Sequence, residues 1–340
     1  MEEILNLCHR TQCLNLCDHD LFPLMLQPIF MAIEYEKDLI VLNLSCNIMQ
    51  NIGMKHLVKV LSQLDKLQSL NLSGNVITYD GIKEFNSIFS INENALPELS
   101  ELNLNNNPLC NDSVEMLERI CLKLKSLKKL HLSDCSLSNF YNCNLLFNQL
   151  SLLDISYNNL DLNNIKNLFN YLNPSKLVNF NLAFSIKSSA IVIGDELNKF
   201  LCKNLQPIPH FDCLNLTNCN LTDDVVYELL KNISTDNLIL INNENLTKKS
   251  FNYLLNNNPS IKLINLASCS NLLIDIDYDD LINVNNGVKF YPEQITLSLP
   301  DNLTPEMKLY HVEHINELSK KIHGDCGKIL TQTTKVKLIK

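Results

Sequence analysis

Short stretches of the chain alternate apolar and polar residues, and each is followed by a longer stretch with a helical stripe. In Leu67 to Ile77, LQSLNLSGNVI, leucines fall at 67, 70 and 72, an asparagine at 75 and an apolar residue at 77. Leu70 and Leu72 alternate, so both point to one side of a short strand. Leu67 and Ile77 enter the same core from either end. At Asn75 the strand turns away, and an amide there can bond the backbone groups that the turn frees. Downstream of such stretches, Met54, Leu57, Val58 and Leu61 fall at i, i+3, i+4 and i+7, as do Ile165, Leu168, Phe169 and Leu172, and again Val226, Leu229, Leu230 and Ile233. That spacing predicts amphipathic helices. Gly53 and Gly81 stand just before apolar stripes, where a tight strand-to-helix loop is expected. Thr222 with Asp223 and Asp224 resembles a capped helix start with acids placed for the dipole.

The strand pattern recurs. Leu99, Leu102, Leu104, Asn107 and Leu109 repeat it in full, as do Leu127, Leu130, Leu132, Cys135 and Leu137, and Leu150, Leu153, Ile155, Asn158 and Leu160. Phe211, Leu214, Leu216, Cys219 and Leu221 carry one aromatic swap, and Leu39, Leu42, Leu44, Asn47 and Met49 end in methionine. Weaker copies centre on Leu14/Leu16, Phe180/Leu182, Ile239/Ile241 and Ile264/Leu266. Their steps are 28, 28, 32, 28, 23, 27, 34, 25 and 25 residues. The frame Leu-x-x-Leu-x-Leu-x-x-Asn/Cys-x-Leu at this period is that of leucine-rich repeats. The expected fold is therefore an α/β leucine-rich-repeat solenoid, a horseshoe with a parallel sheet on the concave face and helices on the convex face. One repeat buries too little apolar surface to offset the entropy of ordering its backbone, so units must stack.

About ten repeats are expected over residues 1–290, the first and seventh degenerate, followed by a C-terminal cap and basic tail over 291–340. Two places break the period. After Phe180 to Ser185 a long step predicts one worn repeat with an enlarged loop and helix, or a boundary between two solenoid halves. Asn86 to Glu98 carries a four-residue excess, expected as an extended loop. Past Val288 the frame fails, with a last strand expected at Ile295 to Leu299 and a covering helix over Glu306 to Ser319.

Composition adds bounds. The chain has 340 residues, 46% of them hydrophobic, and a net charge of -9, which argues against a general DNA-binding surface. Thirteen cysteines, an odd number, cannot all pair within the chain. The sequence shows no secretory signal and no apolar run of transmembrane length, so a reducing compartment is expected. Asn-x-Ser/Thr sequons such as Asn43-Leu44-Ser45 lie in repeat strands and are read as accidents of an asparagine-rich chain.

Candidate chemistry is sparse. Cys8, His9, Cys13, Cys17 and His19 fit no common structural zinc spacing, and His19 aligns with the ladder residues Asn47 and Asn75, so a worn first repeat is the reading. The run Asp275, Asp277, Asp279 and Asp280 lacks the glycine and glutamate of a calcium loop. No phosphate-cradling loop or nucleophile turn appears, so no catalytic residue, metal or cofactor is expected, and the chain is read as a non-enzyme. Function then falls to the outward strand positions. One column runs Asn15, Asn43, Asn71, Asn103, His131, Asp154, Asn181, Asn215, Leu240 and Asn265, and beside it stand Val41, Ser69, Glu101, Lys129, Leu152, Asn179, Cys213, Leu238 and Leu263. The residues expected to bind a partner are Asn71, Glu101, Asn103, Lys129, His131, Asp154 and Asn215, with an apolar patch of Leu238, Leu240 and Leu263.

The motifs LNLSGN, LNLNNNPLCNDSVEML, LHLSDCSLSNFY and LDISYNNL, then the worn NPSKLVNFNLAFS with its long insertion, then LNLTNCNLTDDVVYELL, follow one another over roughly residues 40–330. The repeats resemble the ribonuclease-inhibitor-like class, and their order resembles the C-terminal array of the tonsoku-like DNA-repair proteins. The resemblance implies a nuclear, non-catalytic scaffold of replication-fork repair and homologous recombination. It also implies a large protein partner on the concave face, the methyl methanesulfonate sensitivity twenty-two-like protein. The family's tetratricopeptide and ankyrin repeats are missing from this sequence, so histone-tail binding is not expected of it. A Ran-type small-GTPase-activating or other cytosolic regulatory repeat protein is the alternative, with cytoplasmic location. The acidic C-terminal stretch of the Ran-activating proteins is replaced here by a basic tail.

Overall fold

A computed structural model describes residues 11–140, 149–161, 163–164, 167–168, 173, 176–183, 185, 208–257, 261–274, 276, 294–299, 303–323 and 328–332, with backbone only for 256–257, 294, 318–323 and 328–332. The chain divides into two compact units, Met1–Leu177 and Val178–Lys340.

In the first unit six strands pair in parallel and in chain order: β1 (Cys13–Asn15), β2 (Val41–Asn43), β3 (Ser69–Asn71), β4 (Glu101–Asn103), β5 (Lys129–His131) and β6 (Leu152–Asp154). Their register aligns Leu14, Leu42, Leu70, Leu102, Leu130 and Leu153 side by side, the leucines at the centre of each sequence copy. Helices α1 (Pro23–Ile33), α2 (Gln50–Leu61), α3 (Tyr79–Asn86) and α5 (Ser113–Lys123) connect successive strands. Met54, Leu57, Val58 and Leu61 of α2 are buried, as their spacing predicts. The excess after Asn86 is not all loop: Ile88–Ile91 forms a short helix, α4, that buries Ile88.

The second unit repeats the plan with β7 (Asn179–Asn181), β8 (His210–Asn215), β9 (Ser234–Ile239), β10 (Leu263–Leu266), β11 (Gln294–Ser298) and β12 (Lys328–Gln332), again parallel and in order. Helices α6 (Asp223–Asn232), α7 (Lys248–Asn257) and α8 (Pro305–His323) complete the described elements. Ile264 pairs with Ile295, and Ile295 with Ile329, so parallel pairing runs on past residue 290 into the stretch expected as cap and tail. The Asp275–Asp280 run, Cys8, His9, and most of the long insertion after Ser185 lie outside the described residues.

One expected register is corrected. β9 aligns Leu214 with Leu238 and Asn215 with Ile239. Leu238 and Leu240 are therefore core residues, fully buried, and Ile239 and Ile241 take the outward places. In Leu238-Ile239-Leu240-Ile241 both alternations are apolar, so hydrophobicity cannot choose between them, and a slip of one residue exchanges the two faces. The choice is made by Asn243, five residues after Leu238, as Asn75 is five after Leu70.

The turns after β2, β3, β4, β6 and β9 are built alike. Asn75 donates through Nδ2 to the carbonyls of Leu44, Leu72 and Ser73, and its Oδ1 accepts from Met49 N. Asn107 does the same one repeat on, and Asn158 and Asn243 repeat the arrangement, so each amide ties two successive repeats. Cys135, Cys219 and Cys269 substitute in this ladder, their thiols lying on the carbonyls of Leu104, Leu182 and Leu240. Burial pushes the Cys135 thiol up to about 12 and that of Cys269 to about 11, and raises Cys219 as well, so these are inert packing groups. The residue just ahead of the ladder position is left-handed in every described copy, from Asp18 (φ 59) through Gly74 (φ 62) to Ser268 (φ 57). Asp, Asn, Ser and Gly predominate there, the first two because a short polar side chain tolerates this backbone.

Three expected helix starts differ in detail from their sequence reading. Gly53 and Gly81 lie within the first turns of α2 and α3, and what they provide is space. A Cβ on Gly81 would stand 2.6 Å from Ile77 Cγ2 and 2.6 Å from Asn51 Oδ1. Thr222 makes no side-chain cap bond at the start of α6. Instead Asp223 reaches the next repeat, where its carboxylate accepts from Thr247 N at 2.9 Å, Thr247 Oγ1 at 2.7 Å, Ser250 N at 3.2 Å and Ser250 Oγ. Asn51 caps Thr78 and Asn111 caps Ser138 in the same manner. The starts of α3 and α7 are thus satisfied by the preceding repeat, which couples neighbours directly.

Candidate protein-interaction face

Along β1 to β7 the central residue enters the core and the flanking residues are at least partly open to solvent. The open positions form the columns read from sequence, with Ile239 in the place assigned to Leu240 and Asn237 in the place assigned to Leu238. Most of the central column is committed to structure. The side-chain oxygens of Asn15, Asn43, Asn71, Asn103, Asp154, Asn181, Asn215 and Asn265 each accept the backbone N–H two residues on, at 3.0–3.2 Å. Where a hydroxyl follows, as at Ser45, Ser73, Ser156 and Thr217, it donates to the same oxygen at 2.7–2.8 Å. These groups terminate strands by competing with the sheet for the backbone. Asn71, Asn103, Asp154 and Asn215 are thus occupied within the protein.

Two positions in β1–β10 depart from this use. At His131 the turn is kept by a neighbour: Ser133 N donates to Asn105 Oδ1 at 2.7 Å. The imidazole is turned to Glu101, with Nε2 at 3.2 Å from Oε1, while Lys129 Nζ lies 3.4 Å from the other Glu101 oxygen. Glu101, Lys129 and His131 therefore form one cluster across β4 and β5; Asp154 is on the adjoining strand, engaged with Ser156. The second position is Ile239, whose side chain has no acceptor at all. Around it the outward residues of the second unit include Cys213, Ile241 and Leu263, all partly exposed. Of the predicted apolar patch, Leu263 is where sequence placed it, Leu238 and Leu240 are not, and Ile239 and Ile241 were missed. The signal that finds them is Asn243, which sets the frame.

The thiols expected at the first repeat are local. His19 Nδ1 is 2.7 Å from the Cys17 carbonyl, and His19 N donates to Asn47 Oδ1 at 3.2 Å. Nine cysteines among the described residues are free thiols. No helix among the described residues is long and apolar enough to cross a membrane.

No family model matches the chain. It is 28% identical over 320 residues to a tonsoku-like protein of Drosophila melanogaster, covering 92% of this chain and 22% of that protein. A tonsoku-like protein of Danio rerio is 28% identical over 129 residues, 38% of this chain and 9% of that protein. The NACHT, LRR and PYD domains-containing protein 13 of Homo sapiens is 35% identical over 154 residues, 42% of this chain and 14% of that protein. The chain thus spans less than a quarter of the length of the curated relatives it matches. Among solved structures, the TLR13–ssRNA13 complex is similar in fold, with a TM-score of 0.54 at 19% identity over 79% of this chain and 37% of that one. The chain is a leucine-rich-repeat array that resembles the tonsoku-like proteins.

Proposed function

We propose that the chain is a non-catalytic protein-interaction scaffold, and that partners are held on the open faces of its sheets. The observation that carries this reading is the pair of departures from the asparagine column. Elsewhere the column is consumed by turns; at His131 and Ile239 the side chains are released from that duty and sit among a charge cluster and an apolar patch respectively. Partly exposed aliphatic groups gathered on one sheet face are accounted for by contact. Each unit is proposed to carry its own contact set, Glu101, Lys129 and His131 in the first and Cys213, Ile239, Ile241 and Leu263 in the second. Asn71, Asn103 and Asp154 would border the first set and Asn215 the second.

The resemblance to tonsoku-like proteins supports the finer reading: a nuclear complex of replication-fork repair and homologous recombination, with the methyl methanesulfonate sensitivity twenty-two-like protein as the partner. Affinity purification from nuclear extract of replication-stressed cells tests both levels. Wild-type chain is expected to recover that partner, and Ile239→Asp and His131→Glu to lose it at least tenfold. Equal recovery by both variants would remove these faces from the interaction. Recovery of a small GTPase, with accelerated GTP hydrolysis, would favour the Ran-type reading.

A further inference from the structure

His210 and Asp212 stand at the start of β8, and Asp236 at the matching place on β9. The His210 Nε2 atom lies 3.8 Å from Asp212 Oδ1 and 3.7 Å from Asp236 Oδ1. All three ligand atoms fall within 4.8 Å of one another. These separations exceed the roughly 3.2 Å limit of a good hydrogen bond. They are close to what three donors keep around a shared ion, since metal–ligand bonds of about 2.0–2.2 Å put neighbouring donors roughly 3.0–3.5 Å apart.

The surroundings hold two of the donors, His210 and Asp236, in place. Nδ1 of His210 is 2.8 Å from Ser234 Oγ, which fixes the ring and leaves Nε2 toward the carboxylates. A partner on the far ring nitrogen is the usual support of a metal-binding imidazole. Lys262 Nζ takes Asp236 Oδ2 at 2.7 Å, so Oδ1 is the oxygen left facing His210. Asn237 Nδ2 donates to the Asp212 carbonyl at 2.8 Å and ties the two strands beside the cluster.

We propose that His210, Asp212 and Asp236 form a three-ligand site for a divalent transition-metal ion of the zinc or cobalt kind, bridging two successive repeats. One imidazole with two carboxylates suits such ions better than magnesium, which prefers oxygen alone. His210 and Asp212 are exposed, so the remaining coordination positions are open to water or to a carboxylate or imidazole of a bound protein. The site does not depend on the docking reading above.

Cobalt(II) titrated into the full chain tests it, by equilibrium dialysis and visible absorption. The expected result is one equivalent bound with weak ligand-field bands and no intense sulfur-to-metal charge transfer, which separates this site from the chain's thiols. His210→Ala and Asp236→Asn should each weaken that equivalent by at least tenfold. Lys262→Met removes a competing ammonium and should tighten binding several-fold, a gain that misfolding cannot imitate. Equal uptake by wild type and His210→Ala, or a spectrum made only of sulfur charge transfer, would overturn the proposal.

Discussion

The third and ninth strands follow the same plan and use it differently. In β3 the outward Asn71 is bound to Ser73 N at 3.0 Å and Ser73 Oγ at 2.8 Å, and the neighbouring strands offer Asn43 and Asn103 in the same role. In β9 the same place is Ile239, between Asn215 and Asn265, with no polar atom to give the turn. The ladder beneath is unchanged: Asn243 bonds Leu216, Leu240 and Ile241 as Asn75 bonds Leu44, Leu72 and Ser73. The buried ladder therefore suffices to close the turn, and the outward asparagine is a reinforcement that one repeat can forgo. Where it is forgone, the surface is available for something else.

The largest effect should come from testing which face of β9 is inside. Leu240→Ala is expected to cost about 2–5 kcal/mol, because it opens a cavity in a filled core. Ile239→Ala, one residue away, should cost well under half as much. Equal losses, measured by urea denaturation, would mean that β9 is not in the register described. Next comes the ladder itself. Asn107→Ala strips the partner from the N–H groups of Asn75 and Ile77 and from three carbonyls, and should cost about 3 kcal/mol or more. Asn107→Cys should recover part of the loss, since a thiol serves at Cys135. A cysteine variant no better than alanine would break the equivalence drawn between the two ladder residues.

A smaller effect is expected at the cap between repeats. Burial alone would raise the Asp223 carboxyl, but the bonds from Ser250 and Thr247 outweigh it and hold the group below the usual carboxylate range. A folded-state value below the unfolded one means that this stabilisation is fully present above about pH 4. It is lost as pH falls through the folded value. Asp223→Ala should cost about 0.5–2 kcal/mol at neutral pH, the range for removing a helix cap, and progressively less toward acid. A difference between wild type and variant that stays constant from pH 7 to pH 3 would show that the charge is not what caps α7.

Leucine spacing made most of the strands legible. A two-residue alternation within a fixed frame can be satisfied in only one register when the intervening residues are polar, as around Leu70 and Leu102. It failed at Leu238–Ile241 because four aliphatic residues in a row carry no alternation. The helix stripes at Met54–Leu61 and Val226–Ile233 were legible for the same reason. Gly53 and Gly81, expected ahead of their helices, lie within them, and Asp223 stands in the first turn of α6 as expected but also caps α7. Each acts on a residue one repeat away or one turn back, and no local pattern records that. The cluster of His210, Asp212 and Asp236 was invisible in sequence because pairing between repeats brings it together across 24 to 26 residues.

The sequence by itself determined that this protein is a stack of strand-and-helix repeats with a leucine core and an amide ladder, because those features are periodic along one chain. Tertiary structure alone decided which acid caps which helix and which polar groups meet across neighbouring strands. Those outcomes rest on parallel register between segments distant in the chain. That register is set by which buried polar groups find partners, and a hydrophobic pattern does not encode it.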